Sequence, residues 1–167
     1  MPRTRSSALT PPSADLAGFR APDAGFGERV RASFDRQPAM NLIGARMTRV
    51  AAGEVDIELA FDPRLTQQHG FMHAGIIGTA LDSACGFASL TLMPADAGIL
   101  TIEYKVNLLS PGRGVRLRVT GRVRKAGRTI TLAEGEAIAI AADGSEKLVA
   151  TMTATEMTII GRDEVKG

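Results

Sequence analysis

Two histidines and one aspartate interrupt the longest apolar run of the chain, Gln67–Leu92. His69 and His73 stand near its start, and Asp82 follows His73 by nine residues. Aspartate is almost never fully buried unless it is paired, because removing its charge from water is expensive. One interpretation is an aspartate at a subunit boundary, held by backbone donors. The other is a carboxylate that acts as a nucleophile or a general base.

The run from Met72 onward predicts a long buried helix, because no proline occurs before Pro94. Along such a helix Ala74 and Asp82 lie about 12 Å apart. A separation of nine residues also puts His73 and Asp82 on opposite faces. The helix start and the carboxylate of one chain therefore cannot easily meet around one small reacting group. If both belong to one site, a second copy of the chain must supply Asp82, which predicts a homodimer with shared sites.

The start of this helix lacks the usual capping residues, since no Ser, Thr, Asp or Asn lies between Gln67 and Ala74. The first N–H groups of a helix have no internal partners and carry the positive end of the helix dipole. The N–H groups near Ala74 and Gly75 could therefore bind an oxyanion or polarise a carbonyl. The alternative is that His73 or water satisfies them.

The composition argues against several other functions. With 20 basic and 18 acidic residues and no tryptophan, we expect no nucleic-acid partner. We expect no metal, because His69 and His73 lack a clear third ligand for zinc. The single cysteine, Cys85, excludes an intrachain disulfide and is expected to pack in the core. Asp82 and the glycines of the apolar run argue against a membrane span, and we expect a cytoplasmic protein.

Alternating hydrophobic residues predict six strands around the long helix. A short amphipathic helix is expected first, over Ala24–Gln37, with Asp23 as its N-cap and Pro38 at its end. Strands are expected at Gly44–Val50, Glu54–Phe61, Ile99–Leu109, Val115–Arg124, Thr129–Ala142 and Glu146–Ile160. Consecutive hairpins imply an antiparallel sheet that curls around one helix, an α+β architecture. Strict alternation in the third strand places Thr101 on the face opposite Tyr104.

The ends of the chain are expected to be unstructured. Met1–Pro22 contains half of the eight prolines, lacks the apolar stretch of a secretory signal, and is predicted to be a disordered tail. The folded domain is expected over residues 23–160. Residues 161–167 are predicted to be a frayed C-terminus.

The stretch HGFMHAGIIGTALD resembles the hotdog-fold acyl-CoA thioesterases of the phenylacetate-degradation (PaaI) type, including the hydroxybenzoyl-CoA thioesterases. That family has His-Gly-Gly at the start of a central helix and an Asp or Glu nine residues after the His. His73, Ala74, Gly75 and Asp82 fill these places. Gln67 falls where the hydroxybenzoyl-CoA enzymes carry a Gln and other members an Asn.

The resemblance extends over about Asn41–Ile160, including the turn Leu109–Gly112 (LSPG) after the third strand. It implies a hotdog fold and hydrolysis of acyl-CoA to free acid and CoA without a cofactor. Ala74 replaces the first glycine of the family signature but keeps the backbone N–H that polarises the thioester carbonyl. Thr101 matches the substrate-facing hydroxyl of the third strand.

The implied mechanism gives each matched residue a role. The Ala74 N–H binds the thioester oxygen, and His73 orients that turn. Asp82 of the partner chain attacks the carbonyl or activates water, and the sequence leaves both routes open. Gln67 holds the water or the substrate, and Thr101 assists.

Because CoA carries phosphates, basic residues are expected at the edge of the site. The candidates lie in one turn: Arg124, Lys125, Gly127 and Arg128. Phe71, Met72 and Phe87 suggest an apolar pocket for an aryl or medium-chain acyl group. We expect a homodimer that assembles further into a homotetramer.

Two other functions remain open at this stage. Hotdog hydratases and dehydratases also act on acyl thioesters, through an Asp–His pair, but here no histidine follows Asp82. A protein that binds acyl thioesters without catalysis is the second alternative.

Overall fold

The computed structural model describes residues 18–165, so the predicted tail over residues 1–17 and the last two residues lie outside the described part. Two short helices come first, followed by two strands, a long helix and four strands. The elements are α1 (Phe26–Asp35), α2 (Pro38–Leu42), β1 (Ala45–Ala51), β2 (Glu54–Ala60), α3 (Ala74–Leu90), β3 (Gly98–Leu108), β4 (Arg116–Lys125), β5 (Ile130–Ile140) and β6 (Glu146–Ile159). Short 3-10 turns form at Pro63–Leu65 and Asp163–Val165. Phe19, inside the segment predicted as a tail, packs on the core beside Gly53.

The six strands form one antiparallel sheet in the order β1-β2-β4-β5-β6-β3. Helix α3 contacts all six strands, and the hydrophobic core lies between the helix and the sheet. The predicted α+β hotdog fold is therefore confirmed, and the six predicted strands agree with the observed ones within two residues at each end. No helix within residues 18–165 is both long and apolar enough to span a bilayer.

The N-terminal helices differ from the prediction at two residues. Pro38 follows α1 and also occupies the first turn of α2. A proline is accepted there, because the first N–H groups of a helix have no partner within the helix. Asp23 is not the N-cap of α1, because the helix begins one residue after Gly25. The Asp23 carboxylate instead accepts hydrogen bonds from the Gly25 N–H (2.9 Å) and from Arg29 Nε (3.3 Å). Arg29 Nη2 also donates to the Met93 carbonyl (3.1 Å), which ties α1 to the end of α3.

Helix and sheet lie close together at Gly121 on β4. A Cβ placed on Gly121 would lie 2.2 Å from the carbonyl oxygen of Ala84 in α3. Gly135 on β5 is paired directly with Gly121, but a Cβ there would meet the ends of the Leu81 and Cys85 side chains at 2.9 and 3.0 Å. Residues of the sheet that have no side chain therefore let α3 lie close to it.

Gly78 and Gly86 of α3 do not account for this close approach. A Cβ on Gly78 or Gly86 would meet nothing within 4 Å. Gly86 instead lines a cavity that also contains Asp82. Cys85 is buried in the core, as predicted.

A β-bulge changes the faces of β3. The register of β3 against β6 shifts between Thr101 and Glu103, which leaves Ile102 as the extra residue. Strict alternation predicted Thr101 opposite Tyr104, and this is wrong. Thr101 pairs with the buried Glu156, so its side chain lies on the face of the sheet that meets α3.

Candidate active site

A histidine caps the start of α3. His73 has an extended backbone (φ −63°, ψ 136°), and its Nδ1 accepts the Gly75 N–H at 2.9 Å. Within the described chain no acceptor is found for the Ala74 N–H. The Ala74 N–H is therefore available to a ligand, as predicted. The Gly75 N–H is not, because His73 accepts its hydrogen bond, which was the alternative interpretation. A Cβ on Gly75 would lie 3.1 Å from His73 Nδ1, so glycine at this position leaves room for the imidazole ring.

Backbone hydrogen bonds fix the loop that leads into α3. The His73 N–H donates to the Leu65 carbonyl (2.9 Å), and the Met72 N–H donates to the Gly112 carbonyl (3.0 Å). The second bond joins this loop to the LSPG turn after β3. Gly70, with φ +76°, closes the turn that begins at Gln67. The Ala74 amide is therefore held by the chain on both sides of it.

The loop and the LSPG turn line an apolar cavity of about 390 Å³ that is open to solvent. Gln67 and Ala74 both line it, so two of the predicted site residues come together here. Phe71 forms part of the wall, and the Arg113 guanidinium lies 4.2 Å from the centre of its ring. The complete lining is Gln67, Phe71, Met72, Ala74, Ile77, Leu108, Leu109, Ser110, Pro111 and Gly112.

A second cavity, of about 290 Å³, contains the predicted carboxylate. Asp82 from the middle of α3 and Thr101 from β3 line it together. Its other lining residues are Gln37, Ser83, Gly86, Phe87, Ile99 and Leu100. The two cavities have no lining residue in common. One protomer thus separates Gln67, His73 and Ala74 from Asp82 and Thr101, as the helix geometry predicted.

Burial perturbs the Asp82 carboxyl. Asp82 is half-buried, and its Oδ1 is buried without a hydrogen-bond partner among residues 18–165. Burial raises the pKa of Asp82, and the nearby Thr101 hydroxyl opposes this increase. A carboxyl with a raised pKa in a cavity is suited to proton transfer, because it binds a proton more readily than an exposed one.

Sequence reasoning missed a second carboxyl, Glu156 on β6. It is fully buried, and its Oε2 accepts a hydrogen bond from Thr101 Oγ1 at 2.9 Å. Burial raises the pKa of Glu156 to about 7; the Thr101 hydroxyl opposes this, and the charge of Asp82 adds to it. A signal was present in the sequence, because Glu156 continues the inward alternation of Met152 and Ala154.

The basic residues predicted to bind CoA phosphates line neither cavity. Arg124 Nε donates to Glu134 Oε2 at 2.6 Å on the outer face of the sheet. Lys125, the last residue of β4, and Arg128, in the turn that follows it, are exposed. The structure therefore does not bring this turn into contact with the candidate catalytic groups of the same protomer.

Gly127 has a structural reason to be glycine. A Cβ at this position would lie 2.2 Å from the carbonyl oxygen of Ile130. The close approach of the two backbones within the turn accounts for the residue without a bound phosphate.

Known proteins are similar to this chain in sequence and in fold. The profile of the thioesterase superfamily matches residues 69–141. A thioesterase family protein of known structure from Silicibacter pomeroyi is 50% identical, and the match covers 82% of this chain and 100% of that chain, with a TM-score of 0.80. A conserved protein from Pseudomonas aeruginosa is 25% identical over 74% of this chain and 94% of its own (TM-score 0.67).

The PaaI protein of the E. coli phenylacetic acid degradation operon is 16% identical and shares the fold, with a TM-score of 0.71 over 80% of this chain and 93% of that chain. The profile match contains both the capped start of α3 and Asp82. Half of the aligned positions are shared with a thioesterase family protein along that protein's whole length. This chain therefore belongs to the thioesterase superfamily.

Proposed function

We propose that the protein hydrolyses acyl-CoA thioesters to the free acid and CoA, in sites shared between two protomers. One observation carries the proposal. The unpartnered Ala74 N–H at the start of α3 and the half-buried Asp82 carboxyl lie in separate cavities of one protomer, about 12 Å apart along the helix. Membership of the superfamily supports thioester hydrolysis, and the choice of acyl-CoA is part of the proposal.

Each half of the site supplies one requirement of the reaction. The Ala74 N–H donates to the thioester oxygen, where negative charge develops as the carbonyl carbon becomes tetrahedral. Asp82 of the partner subunit either takes a proton from the attacking water or attacks the carbonyl itself. The C–S bond then breaks and CoA leaves as a thiolate. On the general-base route the proton that Asp82 took from water passes to the thiolate and the acid is released; on the nucleophilic route an acyl–Asp82 anhydride remains, and a water molecule hydrolyses it to the free acid and supplies the proton. Gln67, which lines the same cavity as Ala74, holds the water or the substrate in this proposal.

The edge of β3 supports the second copy. β3 pairs only with β6, so its other edge has no strand beside it in the described part of the chain. An unpaired edge is a template for pairing with another chain. Large apolar side chains on β3 are also exposed: Leu100 (46%), Ile102 (53%), Tyr104 (50%) and Leu108 (53%). We infer that a homodimer covers this surface, with a homotetramer as its further assembly.

The first cavity suggests the acyl group. Its walls are mostly apolar, with Phe71, Met72 and Ile77 beside Ala74. Apolar walls with few polar groups suit an aryl or a medium-chain acyl group. The exposed basic residues Lys125 and Arg128 remain candidates for the CoA phosphates.

A panel of acyl-CoA substrates with a thiol reagent tests the proposed function. We expect CoA release to be fastest with aryl or medium-chain acyl groups and slow with acetyl-CoA. If no substrate of the panel releases CoA but acyl-CoA binds tightly, the protein binds thioesters without catalysis. Disappearance of an enoyl-CoA without CoA release would indicate a hydratase.

Replacing Ala74 with proline removes the proposed oxyanion donor and little else. We expect kcat/KM to fall by about 10²–10³-fold, the usual effect of losing such a donor. The fold should persist, because Ala74 is the first residue of α3, where proline is accepted, and the extended His73 suits a residue before proline. Steady-state assays and thermal unfolding measure the two effects.

Ala74→Gly is the matched control, because it keeps the N–H and restores the His-Gly-Gly pattern. We expect it to stay within a few-fold of the original rate. An Ala74→Pro protein that is folded and fully active would exclude this amide as the oxyanion donor.

A further inference from the structure

We infer that Glu156 is a positioning residue of the same site, which orients the Thr101 hydroxyl and holds the shared proton of a carboxyl pair so that Asp82 remains the anion. The inference rests on the proposed thioester hydrolysis. It concerns how the half of the site that contains Asp82 is kept ready for reaction.

The geometry links the two carboxyls through one hydroxyl. Thr101 Oγ1 donates to Glu156 Oε2 at 2.9 Å, and it lies close enough to Asp82 to affect that carboxyl as well. A hydroxyl has one proton, so it can stabilise only one of the two carboxylates at a time. Two buried oxygens, Glu156 Oε1 and Asp82 Oδ1, have no hydrogen-bond partner in residues 18–165. Leaving a buried carboxylate oxygen unpaired is expensive, so protonation of one of the two groups lowers this cost.

Among the described residues of one protomer, no cationic side chain is placed to stabilise two anions here. From α3, the groups near Glu156 are Asp82 and Cys85, and burial raises the pKa of the Cys85 thiol so that it stays neutral. From β5, the neighbour is the buried Thr131, while Glu134 lies on the outer face. Within the described residues no lysine, arginine or histidine forms a hydrogen bond or ion pair with either carboxyl. A buried carboxyl that has another carboxyl as its charged neighbour and no cationic partner binds a proton more readily than an exposed one.

Glu156 is the better holder of that proton. It is fully buried, whereas Asp82 is half-buried and lines a cavity. Burial and the charge of Asp82 raise the pKa of Glu156 to about 7. The more exposed member of a coupled pair keeps its charge more easily, because water solvates it. Asp82 is then the anion near neutral pH.

The hydrogen bond to Glu156 fixes the orientation of the Thr101 hydroxyl. Because its proton goes to Glu156 Oε2, the lone pairs of the Thr101 oxygen are free to accept a hydrogen bond from a water in the cavity. That water adds its oxygen to the carbonyl carbon and passes one proton to Asp82. Glu156 does not touch the substrate; it acts through Thr101 and through the charge of the pair.

The pH profile of kcat/KM tests the inference. In the unaltered protein we expect kcat/KM to fall as the pH rises above about 7, where Glu156 loses its proton and the pair becomes a dianion. Glu156→Gln keeps an acceptor for the Thr101 hydroxyl, but it cannot ionise. We therefore expect the rate near pH 7 to stay within a few-fold and the decrease above pH 7 to disappear.

Glu156→Leu separates positioning from simple filling of space. It removes both the acceptor and the proton, so we expect kcat to fall about 10²-fold with little change in KM. A purely structural glutamate would tolerate leucine without this loss. Glu103→Gln is the matched control, because Glu103 accepts a hydrogen bond from Thr155 on the outer face of the same two strands. Its pH profile should not change.

Infrared difference spectroscopy provides a measurement that does not need turnover. A protonated carboxyl band should be present at neutral pH in the original protein and absent in Glu156→Gln. If no acyl-CoA is hydrolysed but the band is present, the proposed function fails and the carboxyl pair stands. If the band is absent, or if Glu156→Gln keeps the original pH profile, the inference is overturned.

Discussion

Replacing Asp82 with asparagine is expected to lower kcat/KM for acyl-CoA hydrolysis by at least about 10³-fold. The amide has almost the shape of the carboxylate, but it can neither accept the proton of water nor attack the thioester. The fold should not weaken. Burial raises the pKa of Asp82, so the folded state disfavours its charge at neutral pH, and a neutral side chain removes that penalty. CoA release and thermal unfolding, measured on the same preparation, separate the two effects.

Mixing two inactive proteins tests whether sites are shared. An Asp82→Asn protomer retains a good Ala74 amide, and an Ala74→Pro protomer retains a good Asp82. If a twofold dimer exchanges its subunits at random, half of the dimers are mixed and each has one intact site, so about a quarter of the original activity should return. Undiminished CoA release by Asp82→Asn alone would refute the catalytic role. Failure to recover activity after proven subunit exchange would refute the shared site.

Replacing Gly121 with alanine is expected to lower the free energy of unfolding by about 3 kcal/mol or more. Overpacking usually costs about 1–3 kcal/mol, and here the added methyl would meet backbone atoms, 2.2 Å from the Ala84 oxygen and 2.6 Å from the Cys85 nitrogen. Helix α3 can yield only as a whole, because it contacts all six strands. Urea unfolding gives the measurement.

Gly135→Ala is the comparison for this result. Gly135 is directly paired with Gly121, but its added methyl would meet the movable ends of Leu81 and Cys85. We expect a loss of about 1 kcal/mol. Equal losses at the two positions would show that α3 is not held as firmly against the sheet as this packing requires.

The fold could be predicted because it follows from local periodicity. Alternation in the strands and the proline-free apolar run place the six strands and α3 within a few residues of their observed ends. The bulge at Ile102 could not be predicted, since an extra residue in β3 is visible only once its pairing with β6 is known. For the same reason the side of the sheet predicted for Thr101 was wrong.

The candidate site was predictable where it depends on helix geometry alone. The separation of Ala74 from Asp82 needs only the rise per residue of a helix. The cap at Gly75 was left open, because histidine is not among the preferred N-cap residues. Glu156 was missed because its burial depends on β3 and α3 closing around the end of β6, and a lone glutamate near the end of a strand normally faces water.

The bulge in β3 makes the direction of the Thr101 side chain depend on the exact length of the strand. A regular ladder through Ile102 would turn Thr101 to the outer face, away from both Asp82 and Glu156, although every strand would still form. During divergence, lengthening or shortening of this strand by one residue would therefore turn Thr101 away from the proposed site while the fold remained. Descendants with an intact scaffold and a new or absent activity are the expected product of that single event.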